Sequence, residues 1–185
     1  MKKHLLFLFV GFAVFGQEKP SKPHYEFRTN LLTMLSQCNF NASIEKKNAT
    51  NYSFGISMGT TQSSSLESKF KDGNTAYLAQ WDVTPFVRYK LSTSNRSFYF
   101  AEAFGSINQG KYKEITRTPA TTSSFYQITT GSYTAVALGG SLGYSLLVKS
   151  NWTVEFLVGF GSNLVNTQHS PAVVSRVGLS LGYQF

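Results

Sequence analysis

Residues 172 to 185, AVVSRVGLSLGYQF, alternate between two kinds of side chain. One set holds Val173, Val177, Leu179, Leu181, Tyr183 and Phe185, with Ser175 the only polar member, and the other holds Ala172, Val174, Arg176, Gly178, Ser180, Gly182 and Gln184. A period of two is the period of a β-strand, whose successive side chains point to opposite faces. Fourteen residues exceed the ~5 to 6 of an ordinary globular strand. They suit a tilted strand that crosses a bilayer, which needs ~9 to 11 residues within the hydrocarbon.

The same alternation recurs along the chain and predicts seven more strands. Strand one is expected over Tyr25 to Leu35, strand two over Cys38 to Lys46 and strand three over Tyr52 to Met58, with only Ser36 and Gln37 joining the first two. Strand four follows over Tyr77 to Leu91, where Pro85 lacks an amide hydrogen and predicts a bulge. Strand five runs from Phe98 to Gly105, strand six from Ser132 to Val148 and strand seven from Trp152 to Gly161. Within strand five, Glu102 shares the face of Phe98, Phe100 and Phe104 and breaks the pattern, which a local bulge would explain.

The connections alternate in length from strand two onward. Asn48 to Asn51, Ser92 to Arg96 and Lys149 to Asn151 are short, whereas Thr60 to Thr75, Gln109 to Gly131 and Ser162 to Pro171 are long and polar. An even number of strands, with short turns on one side and long loops on the other, is the pattern of a bacterial outer-membrane barrel. The expected fold is therefore all-β, an eight-stranded antiparallel up-and-down transmembrane β-barrel.

Volume decides which face points outward. A soluble barrel would turn its apolar face inward, but eight strands leave an interior just wide enough for side chains. Trp81, Trp152, Phe54, Phe98, Phe100, Phe104, Phe156, Phe160, Tyr89 and Tyr144 would overfill it. Turned outward, they coat a lipid-facing belt. The lumen would then collect Glu26, Arg28, Glu45, Asp82, Arg88, Lys90, Glu155 and Arg176, whose mixed signs predict a salt-bridge network that plugs the barrel. Folding the last hairpin near Thr167 predicts a diagonal pair between Glu155 and Arg176.

The first residues read as an export signal: Lys2 and Lys3, then the apolar run Leu5 to Phe15, with cleavage expected before Gln17. The expected division is a signal peptide over 1–16 and a barrel domain over 17–185. Charged residues make up 14% of the chain, against a typical ~25%. The net charge of +8 includes two lysines of the signal, and the remaining basic residues are dispersed, which argues against a nucleic-acid partner. Cys38 is the single cysteine, so neither a disulfide framework nor a cysteine metal site is expected, and the glycines form no phosphate-binding loop, so no cofactor is expected.

The C-terminal strand, with Leu179, Leu181, Tyr183 and Phe185, resembles the last strand of bacterial outer-membrane β-barrel proteins. That resemblance implies that Tyr183 and Phe185 form an assembly signal, with the barrel-assembly machinery as partner. Further stretches, Asn30-Leu31-Leu32, Ile44-Glu45, Thr84-Pro85-Phe86-Val87-Arg88-Tyr89, Phe98-Tyr99-Phe100 and Leu181-Gly182-Tyr183-Gln184-Phe185, are similar to small outer-membrane barrels of Bacteroidota. These are proteins of a domain-of-unknown-function type, eight-stranded like OmpA and OmpX. The resemblance implies fold and an outer-membrane location, and carries no activity.

Lipid A-modifying enzymes also use small barrels, through a histidine and a serine with an orienting carboxylate. His169 and Ser170 are the sole adjacent pair, without a following carboxylate, and read as loop residues. The expected role is non-enzymatic: a structural or surface-interaction barrel, with a lipid A enzyme and a soluble periplasmic ligand-binding barrel as rival readings. Lys69, Lys71, Lys111, Lys113 and Arg117 lie in the long loops, where they could meet the phosphates of lipopolysaccharide.

Overall fold

The computed structural model describes residues 23–37, 39–92, 94, 96–118, 125–149 and 151–185. The expected signal peptide and Cys38 lie outside these residues. Eight strands form a closed antiparallel barrel in which each pairs with its neighbour in sequence. They are β1 (His24–Asn30), β2 (Asn39–Lys47), β3 (Tyr52–Thr61), β4 (Tyr77–Lys90), β5 (Ser97–Thr118), β6 (Phe125–Lys149), β7 (Trp152–Asn163) and β8 (Val173–Gln184). Pairing of β1 with β8, Phe27 opposite Tyr183, closes the ring.

Helix α1 (Leu31–Gln37) replaces the second half of the expected first strand. Asn30 starts it: its Oδ1 accepts from the amides of Leu32 at 3.1 Å and Thr33 at 3.3 Å, the capping arrangement that ends a strand and begins a helix. Leucine and methionine favour the helix that follows, and Leu35 points into open space. Helix α2 (Ser64–Lys71) lies within the expected loop Thr60 to Thr75, and the Ser63 side chain caps it by accepting from Leu66 N. Lys69 and Lys71 in its last turn complement the helix dipole, and Phe70 anchors it.

Pro85 produces no bulge. It sits opposite Ile56 in an unbroken β3 register, and on the other side Val83 opposite Ile107 and Phe86 opposite Phe104 keep one register across it. The irregularity of β4 falls between Ala79 and Trp81 instead. Strands β5 and β6 continue far past their neighbours, so much of the expected loop Gln109 to Gly131 is paired ribbon, with Ile115 opposite Ile128.

The outside of the barrel is apolar. Phe54, Trp81, Tyr89, Trp152, Phe156 and Phe160 point outward as expected, and Tyr144 is half-buried beside Tyr99 on the same surface. At the short-turn end four aromatic pairs form a girdle: Tyr25 with Phe185, Tyr52 with Tyr89, Tyr99 with Tyr144, and Trp152 with Tyr183.

Strand β5 departs from the expectation. Phe100 and Phe104 are 1% and 3% exposed and face the lumen, with Phe98 half-buried on the same side beneath the ammonium groups of Lys47 and Lys90. No bulge is needed at Glu102, which shares this inward face. Glycines make the room. Phe86 lies opposite Gly55, Phe100 opposite Gly143 and Phe104 opposite Gly139, and a Cβ on any of these glycines would run into the facing ring. The lumen thus accepts large rings by pairing each with a residue that has no side chain.

Candidate functional site in the lumen

Four glutamates and two arginines occupy the half of the lumen nearest the short turns. Glu26 and Arg28 come from β1, Glu45 from β2, Arg88 from β4, Glu102 from β5 and Glu155 from β7, and all six are buried. Arg88 is the hub. Its Nε donates to Glu102 at 2.7 Å, its Nη1 to Glu45 at 3.0 Å and to Glu155 at 2.7 Å, and its Nη2 to the second oxygen of Glu155 at 2.9 Å. Its guanidinium is stacked between the rings of Phe86 and Phe100, 4.7 and 4.3 Å from their centroids.

Arg28 bridges the other carboxylates. Its Nη1 donates to Glu26 at 2.9 Å and to Glu45, and lies 3.4 Å from Glu155. Glu26 also accepts from Lys47, from Thr153 Oγ1 at 3.0 Å and from Gln184 Nε2 at 2.9 Å, while Ser53 donates to Glu45. Burying so many charges is tolerable because each carboxylate has several donors and opposite charges interleave.

The structure brings together Glu26, Arg28, Glu45, Arg88 and Glu155 of the expected network and adds Glu102, expected at a bulge, and Lys47, neither of which the sequence placed in it. Strict alternation holds the signal for Glu102: it shares parity with Ser106 and Asn108, both buried in the lumen. The expected Glu155–Arg176 pair does not form. In the β7–β8 register Glu155 faces Ser180 and Arg176 faces Gly159, four residues away, and Arg176 reaches Glu102 instead, at 3.2 Å. Asp82 stands apart from the cluster, its Oδ2 accepting from Thr84 at 3.1 Å. Lys90 lies at the short-turn mouth, 5.1 Å from the Phe98 ring centroid.

Beyond the cluster the lumen is not filled. A cavity of about 310 Å³ occupies the half nearer the long connections, with Arg28, Arg88 and Glu155 at its floor, Asp82, Asn41 and Asn108 on its walls, and Thr33, Thr61 and Pro171 at its rim. Polar pairs line it, Asn39 to Thr61 at 2.9 Å, Asn41 to Ser57 at 3.1 Å and Asn108 to Asn163 at 2.9 Å. Among the described residues no three His, Cys, Asp or Glu side chains converge as a metal ion would require.

The loop residues take other roles. Lys113 Nζ donates to the Lys71 carbonyl at 2.9 Å and lies over the buried Phe70 ring, so it fastens α2 to the β5–β6 ribbon. Lys69, Lys71 and Lys111 lie in the same corner and are exposed. Arg117 pairs through its backbone with Tyr126, and its side chain lies outside the described residues. Ser170 Oγ donates to the Asn166 carbonyl at 2.9 Å, while the His169 ring packs on Tyr112 with Nε2 3.9 Å from Glu114. The serine hydroxyl is therefore engaged by backbone and not by its histidine neighbour.

Among solved structures, the N-terminal β-barrel domain of Pseudomonas aeruginosa OprF is similar, with a TM-score of 0.50 at 11% identity over 88% of this chain and 96% of that one. Neisserial surface protein A gives a TM-score of 0.49 at 14% identity, covering 88% of this chain and 92% of the other. The attachment invasion locus protein Ail of Yersinia pestis gives 0.44 at 12% identity, covering 88% and 95%. No curated protein sequence matches the chain. The sequence profile of a family described as protein of unknown function, DUF3575, matches residues 4–173, and the chain belongs to that family.

Proposed function

We propose that the protein is a non-enzymatic barrel of the bacterial outer membrane with a structural or surface-interaction role. The observation that carries this is the inversion of polarity: an apolar, aromatic-girdled exterior surrounds a lumen of buried ion pairs. Such a surface is unstable in water and matched to lipid, where a closed barrel leaves no backbone group unpaired. Among the described residues no helix is long and apolar enough to cross a membrane; in this reading the strands make the crossing.

The finer parts of this reading rest on the sequence: export by the segment before Gln17, an origin in Bacteroidota, and recognition of Tyr183 and Phe185 by the barrel-assembly machinery. Backbone bonds between Tyr25 and Phe185, at 3.0 and 2.9 Å, make the last residue part of the barrel's closing seam, in keeping with a role in assembly. Outer-membrane lipid and lipopolysaccharide are the expected partners, the latter through the basic corner around α2.

Cell fractionation tests the proposal. The mature chain stays with the outer-membrane fraction and needs detergent for extraction; release by osmotic shock alone contradicts it. A lipid A mass spectrum that changes on deletion of the gene would replace the non-enzymatic role with a catalytic one.

A further inference from the structure

We propose that the outer half of the lumen is a binding cup for a small zwitterion, a molecule such as a free amino acid that carries an ammonium and a carboxylate a few bonds apart. The cavity of about 310 Å³ lies at the small end of the ~300 to 1,000 Å³ range of ligand sites, so it suits a molecule of a few heavy atoms. It is blind. The cluster of Arg28, Arg88 and Glu155 closes its floor, while its rim at Thr33, Thr61 and Pro171 faces the end with the long connections.

Two opposite charges line this cup without meeting. Asp82 on β4 accepts one hydrogen bond, from Thr84, and makes no ion pair among the described residues. Its carboxylate lies over Gly59 on β3, where any Cβ would collide with Oδ1, so the backbone is shaped to hold it. Arg176 on β8 also lines the cavity, with its guanidinium over the rings of Phe104 and Phe86, 5.0 and 5.8 Å from their centroids. Its donors are only partly used: Nη2 lies 3.2 Å from Glu102, an acid already bonded to Arg88 and Ser141, Nε is buried without an acceptor, and the guanidinium makes no other ion pair among the described residues.

The fork of a guanidinium fits a carboxylate, and a carboxylate fits an ammonium. The same cavity is lined by the amides and hydroxyls of Asn41, Asn108, Ser57 and Ser106. A ligand of single charge would displace water from both groups and improve one, leaving either Asp82 without a counter-ion or Arg176 with its single contact to Glu102. A neutral polyol would satisfy neither charge with an opposite one. The cup therefore selects for both signs in one molecule.

The full mature chain, folded in detergent micelles, is titrated with L-serine, ethanolamine, acetate and glucose by calorimetry. Serine is expected to bind saturably, with ethanolamine and acetate, its two charged halves, at least roughly tenfold weaker, the factor expected for loss of one charge-assisted bond. D82N is expected to weaken serine by a similar factor without changing the heat-modifiable electrophoretic mobility that reports a folded barrel. R176Q, scored by the same mobility, is expected to do the same. Absence of saturable serine binding, equal binding of serine and its halves, preference for glucose, or serine binding unchanged in both folded variants would each overturn the proposal.

Discussion

Arg88 on β4 and Glu155 on β7 meet across the lumen through two hydrogen bonds of 2.7 and 2.9 Å, although their strands share no edge of the sheet. This contact ties opposite walls of the barrel together and makes stability depend on side chains inside it. Removing Glu155 leaves Arg88 and Arg28 with a carboxylate fewer in a buried site. Glu155→Ala is expected to cost on the order of 3 to 5 kcal/mol and to lower the unfolding temperature of the detergent-folded barrel, with Glu155→Gln, which keeps an acceptor, milder. An unchanged unfolding temperature in E155A would show that the cluster is not a structural tie.

The same cluster is expected to close the lumen to ions. Water-filled porins use ~16 to 18 strands, and here eight enclose a floor of paired charges capped at the short-turn mouth by Phe98 between Lys47 and Lys90. Wild-type protein in planar bilayers is expected to show no stable open channel, since the cup is blind. Steady porin-like conductance would make transport the better function.

Room for the lumen rings comes from single glycines, and this is measurable. Gly143→Ala is expected to destabilise by about 1 to 3 kcal/mol, because the new methyl meets the Phe100 ring. Combined with Phe100→Leu, the loss should fall short of the sum of the two single losses by about 0.5 kcal/mol or more, as for residues in direct contact. Strict additivity in chemical unfolding would show that the ring and the glycine are not fitted to each other.

Lys113 holds α2 down through the Lys71 carbonyl and Phe70, so it is not available as Lys69, Lys71 and Lys111 are. Replacing Lys69, Lys71, Lys111 and Arg117 by glutamine while keeping Lys113 is therefore expected to reduce the lipopolysaccharide that copurifies with the barrel and to leave its fold intact. Unchanged retention would remove lipopolysaccharide phosphate as the ligand of this corner.

What the sequence made legible follows from how each face was coded. Strands β4, β6, β7 and β8 alternate large apolar with small or polar residues at most positions, Phe86 and Leu157 being inward exceptions, so their faces could be read directly. Strand β5 misleads because Phe100 and Phe104 are apolar and yet inward, admitted by Gly143 and Gly139 on the neighbouring strand. The identity of a side chain does not state its direction when the partner strand supplies the space. In α1, Leu31 and Leu35 are four apart, a spacing that suits helix and strand alike, and the cap at Asn30 decides. Register across the sheet can be guessed from a hairpin, but contacts across the lumen, Arg88 with Glu155 or Arg176 with Glu102, depend on strand tilt and on which side chains stack on Phe86, Phe100 and Phe104. No local pattern encodes that.

The exterior can be interrogated through its two tryptophans. Trp81 and Trp152 are the only tryptophans of the chain and both point outward, 39% and 45% exposed. When the protein is reconstituted into vesicles whose acyl chains carry bromine, the fluorescence of both is expected to be strongly quenched relative to unbrominated vesicles, because each ring lies against lipid. Equal emission in the two kinds of vesicle, with the chain recovered in the aqueous phase, would contradict a lipid-facing barrel.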